Sequence, residues 1–236
     1  MSYLDVVYAD LDLKPGDYTH QLVEFLVRKK LKITDDSPEN LLLDVGAGKG
    51  AQAVIFAKYF KVATLDRHDD ARATFEKAGA EAQVYKSDFG SEAFPIESNT
   101  VDVVFTKSVI EHVENWDHFV SEIHRVLKPG GTAVIMTPNW NSQRVNFYDD
   151  PTHIRPYTLR TLDRVLRMTG FDEIEIEDVY QLPFTWRIPG SKIVPWLLRK
   201  LPNSWKWRDS NQRKHRLLIR FSKETMLLAL ATKTSS

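Results

Sequence analysis

The stretch LLLDVGAGKG, residues 41–50, decides the fold, because it joins an apolar run to a turn that contains three glycines. The residues that follow, 51–59, have the Ala-rich apolar spacing of a helix. A strand, a glycine-rich turn and a helix in this order are typical of nucleotide-binding α/β sheets. Glycine lets the backbone turn tightly and approach a ligand without a Cβ in the way. An ordinary strand-to-helix turn explains the same pattern, so the stretch needs support from the rest of the chain.

Short β-rich runs alternate with helical segments from about residue 41 to 137, which predicts a parallel sheet covered on both faces. The predicted strands are 41–45, 61–66, 82–87, 101–107, 132–138, 171–182 and 225–233, and the predicted helices are 18–31, 51–59, 69–78, 116–128 and 158–169. The strand at 171–182 alternates polar and apolar residues, as an edge or antiparallel strand does. We therefore predict an α/β fold with a doubly wound, mostly parallel seven-stranded sheet, helices on both faces and an insertion before the last strand.

The length of 236 residues, 42% of them hydrophobic, predicts a single domain spanning residues 1–236. Within it, 1–40 is expected to form an N-terminal helical cap, and 183–224 a basic, aromatic insertion. The insertion contains four of the six tryptophans. Its segment 187–223 carries 11 Lys and Arg against one acidic residue, a charge of about +10 in a chain whose formal net charge is zero. A block of this kind predicts an anionic partner.

Several classes of protein are excluded or not expected. The chain has no cysteine, which excludes disulfides, Cys-ligated zinc and a Cys nucleophile. The first residues lack the basic start and apolar run of a secretory signal. No stretch approaches the roughly 20 apolar residues of a spanning helix. We therefore expect a cytoplasmic protein, either soluble or attached peripherally at the inner face of the membrane.

The second predicted strand ends in Asp66, 16 residues beyond Gly50. A carboxylate at that position can accept hydrogen bonds from the two hydroxyls of a ribose. A nicotinamide dinucleotide usually requires G-x-G-x-x-G with its pyrophosphate on the helix N-terminus, whereas the spacing here is G-x-G-x-G. The shorter spacing, with Asp44 before it, favours a cofactor that lacks phosphate and carries a positive charge.

Together these motifs resemble the class I S-adenosylmethionine-dependent methyltransferase family, in its small-molecule branch. The resemblance rests on LLLDVGAGKG, on TLDRHD at 64–69 and on KSDFGSEAFPIESNTVDVVFTKSVIEHVENWDHFVSEIHRVLKPGGTAVIMTPN at 86–139. It implies that S-adenosyl-L-methionine is the cofactor. It implies that glycines border the methionine part, that an acid binds the ribose and that the fourth strand closes the pocket. The predicted cofactor-binding residues are Asp44, Gly46, Ala47, Gly48, Asp66, Arg67, Asp88, Phe89, Lys107 and Ser108.

Two of these residues have alternative roles that the sequence leaves open. The resemblance implies that Asp88 accepts a hydrogen bond from the adenine amine and that Phe89 stacks on the ring. Asp88 is equally compatible with capping a turn, and Phe89 with an ordinary core position.

The acceptor side is predicted from two histidines. His112 follows the fourth strand in SVIEHVENW, and His153 lies in DDPTHIRPYT after the fifth. Open α/β sheets bind ligands beyond the carboxyl ends of their strands. A hydroxyl acceptor must lose a proton, for which histidine is suited at neutral pH. We predict His153, His112 and Tyr157 as catalytic, with Arg155 and Tyr157 orienting the acceptor, whereas a helix-start role for His112 remains open.

No metal site is expected. Asp149, Asp150 and His153 are close in sequence, but their spacing fits a turn that ends at proline. Metal-dependent catechol-type relatives of the family carry an acid just after the fourth strand, where this chain has Thr106, Lys107 and Ser108.

The function expected from these features is methylation of an oxygen, and less readily of a nitrogen or carbon, on a small molecule, glycan or lipid-linked precursor. The DPTHIRPYT phrase resembles methyltransferases of bacterial surface-polysaccharide and quinone pathways. The stretch 188–207, within the basic segment 187–223, predicts an interfacial helix that contacts an anionic membrane, with an ordinary lid as the alternative. Nucleic acid is not an expected partner. The rival functions are a non-catalytic cofactor-binding scaffold and a nucleotide-dependent oxidoreductase.

Overall fold

One seven-stranded sheet forms the centre of the protein, in a computed structural model that describes residues 17–34, 39–206 and 217–234. The strand order is β3-β2-β1-β4-β5-β7-β6, and β7 runs antiparallel to both of its neighbours. The strands are β1 (Leu41–Val45), β2 (Lys61–Asp66), β3 (Gln83–Lys86), β4 (Val101–Lys107), β5 (Leu127–Pro138), β6 (Glu173–Tyr180) and β7 (Thr225–Thr232). This arrangement confirms the predicted fold class.

Helices cover both faces of the sheet. They are α1 (Tyr18–Phe25, continued by a π-helical turn Leu26–Lys30), α2 (Ala51–Phe56), α3 (Ala71–Ala78), α4 (Trp116–Val126), α5 (Trp140–Gln143), α6 (Leu159–Met168), α7 (Phe184–Arg187), α8 (Ile193–Leu198) and α9 (Leu217–Lys223). Successive side chains of a strand point to opposite faces. Accordingly Leu43 packs in the core with α4 and α6, whereas Leu42 packs with α1, α2 and α3 on the other face.

The end of α4 differs from the sequence prediction. Residues 127 and 128 were expected to belong to the helix, but the helix ends at Val126 and Leu127 already has extended backbone. Leu127 pairs with Val101, which extends β5 beyond the predicted start at residue 132. Tertiary pairing with β4 therefore overrides the local helical pattern.

The insertion between β6 and β7 is built from α7, α8 and α9, and residues 207–216 lie outside the described residues. Its helices α8 and α9 pack against each other. Within the three described ranges, no helix combines the length and apolar composition that crossing a bilayer requires.

Candidate functional site

A cavity of about 430 Å³ opens where β1, β2 and β4 end. The strand order reverses at β1, which has β2 on one side and β4 on the other. Open α/β sheets bind ligands at such a switch point. The cavity is lined by residues 18–19, 46–49, 51–52, 66–68, 107–109 and 112–113, and by Phe89 and Thr152. The predicted site residues on its wall are Gly46, Ala47, Gly48, Asp66, Arg67, Phe89, Lys107, Ser108 and His112. The predicted residues Asp44, Asp88, His153 and Tyr157 are not among those that line it.

The glycine turn after β1 is shaped by conformations that other residues resist. Gly46 has a φ of +76°, and a Cβ there would overlap the side chain of Val109. Gly50 has a φ of +75°, and a Cβ there would lie 3.0 Å from that of Ala71. Two features therefore require glycine at these positions, the left-handed backbone conformation and the close packing of neighbouring elements.

Asp66 connects the end of β2 to the glycine turn. Its Oδ2 accepts a hydrogen bond from the backbone N–H of Gly48 at 2.8 Å, and its Oδ1 accepts one from that of His68 at 3.2 Å. Each carboxylate oxygen has two lone pairs, so these bonds leave acceptor capacity toward the cavity. Asp66 thus orders the turn and presents a carboxylate on the wall.

Asp44 lies behind this wall and is 2% exposed. Its Oδ2 has no hydrogen-bond partner among the described residues. Burial, followed by the negative charge of Asp66, raises the pKa of Asp44 to about 8, although Lys107 acts in the opposite direction. A cationic group bound nearby would supply the partner that this carboxyl lacks.

Asp88 occupies the turn-capping role that the sequence left open. Its Oδ1 accepts hydrogen bonds from Arg67 Nε at 2.9 Å and from the Gly90 N–H at 3.3 Å, and its Oδ2 accepts one from Ser91 Oγ at 3.0 Å. Its side chain is 45% exposed. Phe89 both lines the cavity and packs on Phe119 in the core, with ring centroids 5.7 Å apart. The two alternatives for Phe89 therefore coexist.

The two predicted histidines lie next to each other, with ring centroids 4.6 Å apart. His112 lines the cavity, and His153, whose side chain is 14% exposed, lies behind it. Nδ1 of His112 is 3.1 Å from the carbonyl oxygen of Thr152. Burial and the neighbouring His153 lower the pKa of His112. The imidazole on the cavity wall is thus held in position by the loop after β5, and the lowered pKa favours its neutral form.

Glu111 is a functional candidate that the sequence analysis missed. It is fully buried, its Oε2 accepts a hydrogen bond from Thr137 Oγ1 at 3.0 Å, and burial raises its pKa to about 7. Its backbone carbonyl accepts from the N–H groups of Ile154 and Arg155, which fixes the loop that carries His153. The available signal was an acid directly before His112, and nothing local in the sequence indicates that this acid is buried.

The structure corrects the role predicted for Tyr157. Its side chain is 1% exposed and packs in the hydrophobic core, so it does not reach the cavity to orient an acceptor. Burial raises the pKa of Tyr157, and its hydroxyl has no partner among the described residues. Arg155 is exposed and lies 5.9 Å above the ring of Trp116.

Comparison with known proteins identifies the domain around this cavity. Residues 43–135 match the family described as Methyltransferase domain. The chain is 33% identical over 144 residues to a probable S-adenosylmethionine-dependent methyltransferase of Mycolicibacterium smegmatis, covering 58% of this chain and 52% of that protein. It is 32% identical over 119 residues to the ubiquinone biosynthesis O-methyltransferase of Rickettsia canadensis, covering 50% of each. The chain spans about half the length of the curated relatives it matches.

A solved structure shares the fold. Phosphoethanolamine N-methyltransferase 2 of Haemonchus contortus, in complex with phosphomonomethylethanolamine and S-adenosylhomocysteine, superposes with a TM-score of 0.64 at 20% identity, over 98% of this chain and 57% of that one. The sequence relatives include both O- and N-methyltransferases, the latter represented by phosphoethanolamine N-methyltransferase 2 of Caenorhabditis elegans, which is 26% identical over 185 residues.

Proposed function

We propose that this chain, whose residues 43–135 match the Methyltransferase domain family, is a class I S-adenosylmethionine-dependent methyltransferase that binds S-adenosylmethionine in the 430 Å³ cavity and methylates a hydroxyl group of a small-molecule, glycan or lipid-linked acceptor. The observation that carries the cofactor part is the bare glycine turn beside Asp66 at the ends of β1 and β2. We further propose that residues 1–236 act as one domain, with 1–40 as an N-terminal helical cap and 183–224 as a basic, aromatic insertion. Residues 1–16, 35–38 and 207–216 of these segments lie outside the described residues.

The residues present fit both the amino acid part and the nucleoside part of the cofactor. The buried oxygen of Asp44 lacks a partner, which suits a cationic amino acid group. Asp66 offers acceptor lone pairs for ribose hydroxyls, and Phe89 contributes an aromatic ring to the cavity wall, with the Arg67 guanidinium 5.5 Å from its centre. When bound, S-adenosylmethionine supplies an electrophilic methyl group on a sulfonium. The protein's part is then to align the acceptor with that group and to exclude water.

Replacing Asp66 with alanine is expected to weaken cofactor binding by about 1.5–3 kcal/mol, the range for hydrogen bonds to a charged group. Titration calorimetry with S-adenosylhomocysteine measures the change. Asp70→Ala is the matched control, because Asp70 is exposed and makes no side-chain capping bond at the start of α3. Equal affinity of the Asp66 variant and the control would contradict the ribose assignment. Tighter binding of NAD than of S-adenosylhomocysteine would favour an oxidoreductase.

Cofactor binding near pH 7 is expected to release a proton from Asp44. The free carboxyl has a pKa of about 8 and is largely protonated at pH 7, whereas a bound cation favours the charged form and lowers that pKa. Affinity should therefore rise as the pH increases toward about 8. Calorimetry in two buffers of different ionisation enthalpy detects the proton.

Asp44→Asn is expected to abolish this proton release. The variant separates Asp44 from its neighbours, since both Asp66 and Lys107 influence the carboxyl and remain in place. Heats that are identical in the two buffers for the native protein would contradict the assignment of Asp44 to the cationic end of the cofactor.

A hydroxyl acceptor is supported by the arrangement around His112. Methyl transfer to a hydroxyl requires that the acceptor lose its proton in or near the transition state. His112 and Thr152 bring an imidazole and a hydroxyl to the cavity wall, and His153 lies directly behind. We assign the activation of the acceptor to His112 and His153. A screen of hydroxylated metabolites and glycolipids with methyl-labelled cofactor tests this, and transfer only to amines or carbon would overturn it.

The insertion supports an acceptor met at a lipid surface. Apolar side chains of α8, of α9 and of the 3₁₀ turn at 203–206 are exposed to solvent, as is that of Ile188 after α7, although α8 and α9 pack together. The exposed large residues are Ile188, Ile193, Val194, Trp196, Leu197, Trp205, Leu217 and Leu218, from 40% to 60% exposed. The basic residues Lys192 and Lys200 border this surface and are also exposed. An apolar face with a basic border is the arrangement of interfacial helices on anionic bilayers.

The charges available for lipid contact differ from those expected for the whole segment 187–223. Lys206 is 4% exposed and paired with Glu224, so it cannot reach a bilayer. Arg199 lies 3.5 Å from Asp178 and 5.3 Å from the centre of the Tyr180 ring. Arg208, which also belongs to this segment, lies outside the described residues.

The protein is expected to co-sediment with vesicles that contain phosphatidylglycerol, and this binding should weaken as the salt concentration rises. Each basic residue near the surface contributes about 1 kcal/mol. Lys192→Gln with Lys200→Gln should remove most of the salt-sensitive binding, whereas Trp196→Ala should weaken binding at every salt concentration. The double variant Arg160→Gln, Arg164→Gln carries the same charge change on exposed positions of α6 and is the control. Equal loss in both double variants would contradict a contact through the insertion.

A further inference from the structure

Three side chains with metal-ligating atoms meet beside the cavity: Glu111, His112 and His153. One ligand atom from each lies within 4.8 Å of the other two. Two imidazole nitrogens and one carboxylate oxygen suit divalent first-row transition metals and leave further coordination positions open. Ligands at 2.0–2.2 Å from one ion lie about 3–3.5 Å apart, so side-chain adjustments of roughly an ångström bring these atoms together.

Glu111 provides an independent indication of a ligand. Its side chain is 0% exposed, and Oε1 has no hydrogen-bond partner among the described residues, whereas Oε2 accepts from Thr137. An unsatisfied buried polar atom costs about 1–3 kcal/mol. A cation held by Oε1 would remove that cost.

Both histidines are oriented as metal ligands commonly are. Nδ1 of His153 is 2.6 Å from the carbonyl oxygen of Phe147, and Nδ1 of His112 is 3.1 Å from that of Thr152. Nδ1 of His112 also lies 2.9 Å from Thr152 Oγ1, whose hydrogen is donated to Asp150 Oδ1. A carbonyl oxygen can only accept, so each Nδ1 is assigned the hydrogen and each Nε2 the lone pair. Backbone carbonyls that bind the second ring nitrogen fix the tautomer and orientation of metal-bound histidines.

Charged side chains of both signs surround the three ligand atoms. Asp150 Oδ2 lies 4.0 Å from His153 Nε2, and its charge acts on Glu111 and His112. Lys107 acts on Glu111, and Arg67 on His112, with the opposite sign. The case for a cation therefore rests on the ligand atoms and on the unpartnered Glu111 oxygen.

We propose that Glu111, His112 and His153 bind one divalent transition-metal ion, of the type of Zn²⁺, Mn²⁺ or Co²⁺, on the cavity side where His112 forms the wall. This departs from the expectation of no metal site. For the activation of the acceptor, the inference rests on the proposed function. A hydroxyl bound to such an ion loses its proton to solvent at a lower pH than a free hydroxyl, so His112 and His153 would act on the acceptor as ligands.

Titration of the untagged, chelator-treated full chain with Co²⁺ tests the site without any acceptor. One Co²⁺ per chain is expected, with visible absorption bands from nitrogen and oxygen ligands. Glu111→Gln and His153→Gln should each weaken binding by about 100-fold, and two independent variants guard against a folding defect in one of them. The matched controls are Glu76→Gln, on the exposed side of α3, and His124→Gln, which does not line the cavity.

The possible outcomes distinguish a failure of the metal-site proposal from a failure of the methyl-transfer proposal. No stoichiometric Co²⁺ binding by the folded native chain, or equal affinity in the Glu111, His153 and control variants, would overturn the metal site. Specific Co²⁺ binding that only the Glu111 and His153 variants lose would support it, even if the acceptor screen found no methyl transfer. Methyl transfer at full rate by the chelator-treated chain would overturn the role of the ion in activating the acceptor and leave the methyltransferase proposal standing.

Discussion

Replacing Glu224 with alanine is expected to lower the free energy of unfolding by about 3–5 kcal/mol, because it leaves a buried ammonium without its counter-charge. Glu224 is 2% exposed and precedes β7. Its Oε1 accepts from Lys206 Nζ at 2.9 Å and from Asn146 Nδ2 at 2.6 Å, and its Oε2 accepts from Arg220 Nε at 2.7 Å. One carboxylate therefore fastens the insertion and the loop after β5 to the start of β7.

The Asp163 side chain provides the matched control. It pairs with Arg167 at 3.1 Å on the surface of α6, where the two side chains are 32% and 54% exposed. Asp163→Ala is expected to cost less than about 1 kcal/mol, as exposed pairs do. Denaturant unfolding monitored by tryptophan fluorescence gives both values, and a loss for Glu224→Ala no larger than that of the control would contradict the buried role. Adding Lys206→Met to Glu224→Ala should recover part of the loss, because it removes the unpaired charge.

Acid should reduce the difference between native protein and the Glu224→Ala variant. Although burial acts to raise it, the hydrogen bond and charge of Arg220 hold the pKa of Glu224 below its ordinary value. A carboxyl with a lowered folded-state pKa contributes stability above its unfolded pKa and loses that contribution as pH falls through the folded pKa. The contribution is therefore fully present at pH 7.

The sheet could be predicted closely because buried parallel strands leave a local signal. Strands 41–45, 61–66 and 101–107 have the predicted bounds, since each is a short, mostly apolar run rich in β-forming residues that ends at a turn or a polar residue. The position of Asp66 on the cavity wall follows from the same signal, because the residue that ends β2 must reach the carboxyl edge of the sheet.

The buried polar groups could not be predicted, because their partners are distant in sequence. Glu224 and Asn146 are 78 residues apart, and Thr137 and Glu111 are 26 apart. Composition counts Lys206 among the positive charges of the insertion, and only tertiary packing reveals that it is neutralised inside the protein. Tyr157 illustrates the same limit, since its spacing gave no indication that its ring would fill the core.

Replacing His112 with alanine is expected to lower turnover by roughly 10²–10⁴-fold, the usual contribution of a group that assists proton removal. His112 lines the cavity and contacts His153, and both imidazoles are fixed by backbone carbonyls of the loop that Glu111 holds. His153→Ala is expected to fall in the same range. Because groups that act as a unit are non-additive, the double variant should lose about as much as either single variant.

The measurement that checks this is kcat with a methyl-labelled cofactor, alongside the affinity for S-adenosylhomocysteine. Affinity should stay within about threefold of that of the native protein, because the loss concerns the transition state. His124→Ala is the control, since His124 packs edge-on against Phe171 with centroids 5.0 Å apart and does not line the cavity. Losses in the two single variants that multiply in the double variant would show that the histidines act independently. Turnover of His112→Ala equal to that of the His124 control would contradict any role of His112 in activating the acceptor. The reason is that this variant removes only the imidazole and leaves the loop, the rest of the cofactor wall and His153 in place.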